Sequence, residues 1–200
     1  MNERAIEYAF VFKCISMLGP KTILDVGTGR TALPALINSC DIQTVCIDKD
    51  AKQITANKFC AVRKDDILKP TIKTKFDMIM CVSVLEHIQQ FDLAVKNMTE
   101  LLNPGGGIVL TFPYNENVYI PDNYKLPKAG YGKGALDICQ SFSKKEVVEW
   151  CSMFKLKLKL QERWEVFSGE FWTYGSRLPV HKQGRDENAP HQLSCILLGN

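Results

Sequence analysis

A short apolar run that ends in two glycines constrains this chain more than any other stretch. Residues 23–26 have the apolar character of a buried parallel strand, and a helix-compatible run follows from Thr31 to Ile37. Between them, Gly27 and Gly29 permit a sharp turn and let a ligand lie against the backbone, because neither carries a Cβ. The stretch predicts a strand, a tight turn and a helix whose N-terminal amides face a ligand.

Asp25 stands two residues before the first glycine, near the carboxyl end of the predicted strand. In open α/β sheets, ligands bind at that end. Two kinds of cofactor use such a turn, since Gly27, Gly29 and Ala32 also satisfy the dinucleotide pattern G-x-G-x-x-G/A. A pyrophosphate disfavours a carboxylate just before the turn, so Asp25 favours a cationic, amine-bearing ligand and leaves a nicotinamide dinucleotide as the alternative.

Composition predicts a globular protein of the cytoplasm. Two hundred residues, 46% hydrophobic and 24% charged, suffice for one domain with a sizeable core. The net charge of +3 is too small to indicate nucleic acid or an anionic membrane surface as a partner. Most of the eight cysteines lie inside apolar runs without a C-x-x-C pair, so we expect reduced thiols and no metal site. No signal peptide, repeat or membrane-spanning run is visible.

An acidic residue ends the second predicted strand, at 43–47. Asp48 lies about twenty residues beyond the glycine turn, where a carboxylate can accept both hydroxyls of a ribose. The alternative for Asp48 is the N-cap of the helix predicted at 51–58, although Asp50 is the better placed cap.

The chain then continues to alternate strands and helices. The further elements predicted as far as residue 112 are a strand at 59–63, a strand at 76–81, a helix at 91–102 and a strand at 108–112. Three motifs occupy the junctions: Lys-Asp-Asp-Ile-Leu at 64–68, Val-Leu-Glu-His-Ile at 84–88, and Leu-Asn-Pro-Gly-Gly at 102–106.

These motifs, in this order, resemble those of class I S-adenosylmethionine-dependent methyltransferases. The glycine turn resembles their D/E-x-G-x-G-x-G motif, with Thr31 in place of the third glycine, and V-L-E-H-I and L-x-P-G-G resemble the small-molecule enzymes of ubiquinone-biosynthesis type. The resemblance spans 23–113. It implies a Rossmann-like α/β fold over 1–200 as a single domain, with a seven-stranded, mainly parallel sheet, helices on both faces and an antiparallel last strand. It also implies in-line transfer of a methyl group from S-adenosylmethionine to a small-molecule acceptor.

The resemblance implies which residues contact the cofactor. The expected set is Asp25, Gly27, Thr28, Gly29, Asp48, Lys49, Asp66, Ile67, Cys81 and Leu85. Within it, the glycine turn and Asp25 face the methionine part, and Asp48 faces the ribose. Asp66 accepts the exocyclic amine of adenine, and Ile67 packs on the ring. The alternative for Asp66 is a solvated acidic turn.

His87 has three interpretations. It can act as a general base beside the acceptor. It can be a metal ligand, since some relatives hold a divalent ion with E-x-x-E-H, but Ser83 stands where the first glutamate is required. It can also be a histidine fixed by hydrogen bonds at the strand-to-helix turn. His87 is the candidate catalytic residue, and no residue is assigned to a metal.

A long segment at about 114–142, rich in Pro, Gly, Tyr and Asn, interrupts the alternation. Loops of this length in compact domains are usually functional or mobile. Because it follows the fifth strand, we expect it on the cofactor's side of the sheet, as a substrate-side insertion or, alternatively, as a solvated one. Its candidate substrate residues are Tyr114, Tyr119, Tyr124 and Tyr131.

The two ends of the chain complete the predicted fold. A helix at 3–18 either packs on the sheet edge or covers the cofactor as a lid. Near the other end, S-x-x-E at 143–146 predicts a capping box that opens a helix to about residue 154. The rest is predicted as a half-buried strand at 155–167, polar excursions at 171–175 and 179–190, and a last strand at 192–198.

Three function classes stay open. A methyltransferase is favoured by the ordered motifs. A non-catalytic subunit with the same fold is the first alternative, favoured by the departures at Thr31 and Ser83. An oxidoreductase that uses NAD is the second, since the glycine turn and Asp48 suit both cofactors. The oligomeric state is not predicted.

Overall fold

Eight strands form one sheet at the centre of the computed structural model, which describes residues 2–200. In chain order they are β1 (Thr22–Val26), β2 (Gln43–Asp48), β3 (Val62–Lys64), β4 (Phe76–Val82), β5 (Leu102–Pro113), β6 (Lys157–Phe167), β7 (Arg177–Gln183) and β8 (Leu193–Gly199). The spatial order is β3-β2-β1-β4-β5-β8-β6-β7. Strands β1 to β5 are parallel, β8 is antiparallel to β5 and β6, and β7 is antiparallel to β6. The Rossmann-like, mainly parallel α/β sheet is confirmed.

Helices cover both faces of the sheet. They are α1 (Arg4–Leu18), α2 (Leu33–Asn38), α3 (Ala51–Ala56), α4 (Phe91–Glu100) and α5 (Lys144–Phe154), with short 3-10 turns at Leu85–His87 and Asn123–Lys125. One core contains Phe10 and Cys14 of α1, and the other contains Met98 of α4 and Trp150 of α5. The central strands are buried on both sides, which accounts for their continuous apolar runs.

The eighth strand corrects the sequence prediction of seven. Most of β7, residues 179–183, lies inside the stretch that was expected to be a polar excursion, and β7 pairs along β6 instead. Its sequence shows no apolar alternation and includes Pro179, which cannot donate to a ladder. Proline is tolerated because β7 is the edge strand, with a partner on one side only.

A second difference lies between α3 and β3. The helix predicted at 51–58 ends at Ala56, and the strand predicted at 59–63 begins at Val62. The cause is Asn57, whose Oδ1 accepts the backbone N–H groups of Phe59 and Cys60 at 2.8 and 3.1 Å. Its amide also donates to the carbonyl of Gly29 at 2.9 Å, so this loop supports the glycine turn.

The ends of the helices follow the sequence signals. Ser143 and Glu146 form the predicted capping box of α5, and Asp50 caps α3 by accepting the N–H of Lys52. The carboxyl ends of β1, β2 and β4 meet at one edge of the sheet, which positions the site described next. No helix within residues 2–200 is long and apolar enough to cross a membrane.

Candidate cofactor and active site

A cavity of about 610 Å³ opens at the carboxyl ends of the parallel strands. Seven of the ten expected cofactor residues line it: Gly27, Thr28, Gly29, Asp48, Lys49, Asp66 and Ile67. His87 lines it as well. Asp25, Cys81 and Leu85 are buried and do not line the wall, so their contact with a cofactor stays a prediction.

The glycine turn forms a close-fitting wall of this cavity. Gly27 and Gly29 have φ values of +72° and +56°, which favour glycine. A Cβ on Gly27 would lie 2.6 Å from the side chain of Val84, so the backbone there has no room for one. Thr31, in place of the third glycine, donates its hydroxyl to the carbonyl of Thr28 at 3.2 Å. The departure from the motif therefore closes the turn with a side-chain hydrogen bond.

Asp48 links the turn to the second strand. Its Oδ2 accepts the N–H of Gly29 at 2.9 Å, and its Oδ1 accepts the N–H of Asp50 at 2.8 Å. Asp50, and not Asp48, supplies the N-cap of α3. Each carboxylate oxygen can accept more than one hydrogen bond, so Asp48 keeps acceptor capacity toward the cavity.

Two adjacent aspartates have different surroundings. The carboxylate of Asp65 accepts the N–H groups of Asp66, Thr71 and Ile72 and the Thr71 hydroxyl, at 3.0 to 3.2 Å. Although burial acts to raise the pKa of Asp65, these hydrogen bonds lower it below its ordinary value. The carboxylate of Asp66 accepts the N–H of Leu68 at 2.9 Å. Asp65 therefore builds the turn, and Asp66 is the one with capacity for a ligand.

Asp25 lies behind the glycine turn as a buried carboxyl. It is 4% exposed, and burial raises its pKa to about 7, against a hydrogen bond from Thr28 that acts to lower it. The neighbouring carboxylate of Asp48 raises the pKa further. A positive group that reaches Asp25 would favour its charged form.

A buried network that the sequence did not predict joins α1 to the cavity. Glu7 is fully buried, and it accepts hydrogen bonds from the guanidinium of Arg4 at 3.0 Å and from the hydroxyl of Thr111 at 2.8 Å. The hydroxyl of Ser83 donates to the same carboxylate, and Ser83 has a φ of +50°. Arg4 and Ser83 line the cavity.

This network bears on two of the open alternatives. The apolar side of α1, including Phe10, packs on the face of the central strands β4, β5 and β8 and not at an edge of the sheet, while Arg4 lines the cavity, so a lid role stays a prediction. Ser83, where a metal-binding pattern needs a glutamate, is committed to Glu7. The only sequence signal was the i, i+3 spacing of Arg4 and Glu7, which is common on solvated helix surfaces.

His87 is oriented by the 114–142 segment. Its Nδ1 lies 2.7 Å from the carbonyl oxygen of Ile138. A carbonyl can only accept, so Nδ1 carries the proton and Nε2 is left with its lone pair. The side chain is 42% exposed and lines the cavity, and its Nε2 lies 3.8 Å from Oε1 of Glu86.

The four tyrosines of that segment do not line the cavity. Tyr114 and Tyr119 pack in aromatic contacts with Phe112 and Phe142, and Tyr124 contacts Tyr131. At its end the segment is anchored by Gln140, which donates to the carbonyls of residues 86 and 88, while residues 133–137 are exposed to solvent. A substrate role for these tyrosines stays a prediction.

Comparison with known proteins decides among the function classes. A family described as Methyltransferase domain matches residues 9–159. The chain belongs to this family. It is an S-adenosylmethionine-dependent methyltransferase, as the ordered motifs predicted, and the alternatives of an NAD oxidoreductase and a non-catalytic subunit are set aside.

Relatives of the methyltransferase agree with this. The Ubiquinone biosynthesis O-methyltransferase of Coxiella burnetii is 26% identical over 171 residues, which cover 76% of this chain and 70% of that protein. TehB from Haemophilus influenzae superposes with a TM-score of 0.66 at 15% identity, over 96% of this chain but only 62% of its own. The 1,6-didemethyltoxoflavin-N1-methyltransferase of Burkholderia thailandensis, solved with S-adenosylhomocysteine, has a TM-score of 0.66 at 13% identity, over 96% of this chain and 76% of its own. The two solved structures share the fold.

The residues of the cavity fit the cofactor of a methyltransferase. The volume of about 610 Å³ lies in the range of small-molecule and cofactor sites. The backbone of the glycine turn at Gly27 and Gly29 lines the wall without side chains, so a ligand can lie against it. Carboxylates at Asp48 and Asp66 supply acceptors for hydroxyl and amine donors.

Proposed function

We propose that this methyltransferase transfers the methyl group to a hydroxyl of a small molecule, with His87 as the general base. The observation that supports this is the fixed His87 ring, whose Nδ1 faces the Ile138 carbonyl and whose Nε2 keeps its lone pair in a side chain that lines the cavity. A hydroxyl is a poor nucleophile until its proton is removed, so a base at this position has a use. The Coxiella burnetii relative is named as an O-methyltransferase, which favours oxygen as the acceptor atom.

The placement of the cofactor follows from the acceptors on the wall. We propose that Asp48 accepts the ribose hydroxyls and that Asp66 accepts the adenine amine, with Ile67 against the ring. The methionine part would then lie along Gly27 and Gly29, with Asp25 facing its ammonium group. Arg4 would face the carboxylate of the methionine part, because its positively charged guanidinium lines the cavity and is held there by the buried Glu7.

The work left to the chain is positioning and one proton transfer. S-adenosylmethionine supplies a methyl group on a sulfonium that is already electrophilic. The glycine turn holds the cofactor, and the 82–88 region holds the acceptor in line with the bond that breaks; such positioning lowers a barrier by several kcal/mol. His87 removes the acceptor's proton at Nε2.

Three wider assignments belong to the same proposal. The 114–142 segment is a substrate-side insertion within one domain over 1–200, since it orients His87. The acceptor is a small molecule and not nucleic acid. The compartment is the cytoplasm, which is supported by eight cysteines that are all free in the part of the chain the structure describes.

The first test concerns the cofactor. Replacing Asp48 by Ala should weaken binding of S-adenosylhomocysteine by about 1–3 kcal/mol, since a charged hydrogen-bond acceptor is lost. Calorimetry measures this, and Glu149→Ala, at an exposed acidic residue of α5 that does not line the cavity, is the control. Equal affinity for D48A and the wild type would contradict the ribose role.

The second test concerns the base. Methyl transfer from radiolabelled cofactor to a panel of catechols, phenols, amines and carboxylates identifies a working acceptor. With that acceptor, His87→Gln should lower turnover by roughly 10²–10⁴ and leave S-adenosylhomocysteine affinity nearly unchanged. His181→Gln, on the edge strand β7, is the control. If H87Q turns over at the wild-type rate, His87 is not the base.

A further inference from the structure

A buried carboxyl group with one unpaired oxygen lies beside His87. Glu86 is 4% exposed, and its Oε2 is buried with no hydrogen-bond partner among residues 2–200. Its Oε1 lies 3.8 Å from Nε2 of His87. A buried polar atom left unpaired destabilises a fold, and more so when it is charged, so this one calls for an explanation.

The other charged and titratable groups around Glu86 do not satisfy it. From α1 it faces Arg4 and Glu7, which are paired with each other at 3.0 Å. From β4 it faces Cys81, and from the 114–142 segment it faces Tyr124 and Cys139, and the pKa values of these three groups are raised. His87 is therefore the one neighbour among these that can gain a positive charge next to the carboxyl.

The backbone of Glu86 connects this pair to the insertion. Its carbonyl accepts both the backbone N–H of Gln140 and the amide of the Gln140 side chain, at 2.9 and 3.1 Å. Those two hydrogen bonds fix the part of the 114–142 segment that carries the Ile138 carbonyl. One residue thus fixes the segment that orients Nδ1 of His87 and also places a carboxyl near Nε2.

We propose that Glu86 is a positioning residue that supplies the counter-charge to His87 during methyl transfer. The proposal rests on the proposed role of His87 as base. In the step, the acceptor oxygen forms its bond to the methyl carbon while the carbon–sulfur bond breaks, and the hydroxyl proton passes to Nε2. The ionised carboxylate of Glu86 stabilises the imidazolium until its proton is released to water.

The protonation of the pair follows from its burial. Burial raises the pKa of Glu86 to about 7, and the neighbouring His87 acts in the opposite direction. Below that range the carboxyl keeps a proton and no counter-charge is present. The pair is competent when Glu86 is ionised and His87 is neutral, so turnover should rise with pH across this range.

The test is the pH dependence of methyl transfer by the full-length protein, measured with the acceptor found in the panel. In Glu86→Gln, turnover should fall and should lose the rise near pH 7 that the wild type shows, because the titrating carboxyl is gone. Glu86→Asp, which keeps a carboxylate, should restore part of both, and the affinity for S-adenosylhomocysteine should stay nearly unchanged in both variants. An E86Q profile that still rises like that of the wild type overturns the proposal.

A second measurement protects the test if E86Q does not fold. In His87→Gln, a replacement at a side chain that is 42% exposed, the carboxyl carbon signal of Glu86 should titrate at higher pH than in the wild type. An unmoved Glu86 titration in H87Q overturns the pairing, whatever the turnover. A shifted Glu86 titration with unchanged turnover in H87Q shows that the pair exists and that the proposed base is wrong, which also overturns the positioning role of Glu86.

Discussion

The two halves of the cavity are held together over very different chain separations. The cofactor half consists of the turns after β1, β2 and β3. Its hydrogen bonds lie within one turn, as from Thr31 to Thr28, or join successive turns, as from Gly29 to Asp48 and from Asn57 to Gly29, 19 and 28 residues apart. The half that we propose for the acceptor is lined by residues of 82–88, and α1, Thr111 and the 114–142 segment support this wall from behind. Its contacts join Glu7 to Thr111, 104 residues apart, and His87 to Ile138, 51 residues apart.

This difference separates the parts of the site that a short sequence motif specifies from the parts that depend on the packing of distant elements. A turn whose bonds are local takes its shape from a few adjacent residues, so it can be specified by a short pattern. A contact across a hundred residues exists only after both elements have packed on the sheet. We therefore expect substitutions in the cofactor half to act locally, and those in the acceptor half to act through packing.

The largest effect is expected at Gly27. In Gly27→Ala, the new Cβ would lie 2.6 Å from Val84 at a φ of +72°, so the turn must shift. Strain and overpacking together should destabilise the protein by about 2–4 kcal/mol. Because the shifted turn no longer matches the cofactor, binding of S-adenosylhomocysteine, measured by calorimetry, should fall about 100-fold, which corresponds to a loss of about 2.8 kcal/mol of binding free energy.

Gly29→Ala is the matched control for that experiment. Gly29 has a similar φ of +56°, but its nearest neighbour to a Cβ is the Gly27 carbonyl oxygen, at 3.9 Å. It therefore tests strain without a clash and should destabilise by about 1 kcal/mol. Val84→Ala combined with G27A should recover part of the loss. Equal effects of G27A and G29A would show that Val84 does not limit the turn.

The same division explains how much could be predicted from the sequence. The sheet, the glycine turn and the caps at Asp50 and Ser143 follow local signals, and the structure has them. Arg4 and Glu7 could not be predicted, because their role depends on Thr111 and on the turn at Ser83. The edge strand β7 was missed because it has a partner strand on one side only. Its side chains therefore need not alternate between apolar and polar, and this alternation is the pattern by which strands are identified.

An intermediate effect is expected at Asp65 and Asp66. Replacing each in turn distinguishes stabilisation of the turn from binding of the cofactor within the cofactor half of the cavity. Asp65→Asn removes an acceptor oxygen from a carboxylate that holds Thr71 and Ile72. It should lower the free energy of unfolding by about 1–3 kcal/mol in urea titrations. Asp66→Asn should leave stability nearly unchanged and weaken S-adenosylhomocysteine binding about tenfold. The reverse pattern would assign the adenine contact to Asp65.

The smallest effect is a pH dependence of cofactor binding through Asp25. Burial raises the pKa of this carboxyl to about 7, so in the free protein it holds a proton at lower pH. If the ammonium group of the cofactor faces Asp25, the charged form is favoured in the complex, and binding releases a proton below about pH 7. The affinity should therefore rise about tenfold between about pH 5.5 and 7, a range in which an α-amino group stays protonated. Calorimetry in two buffers of different ionisation enthalpy counts the released proton directly.

The control is Asp25→Asn. Its side chain cannot ionise, so this variant should bind without the proton release and with a nearly flat pH profile. A flat profile in the wild type would remove Asp25 from the cofactor contacts. The carboxyl would then act only on the fold, where its raised pKa makes the native state lose stability as the pH rises from about 4 to 7, because the native state holds a proton that the unfolded chain has released.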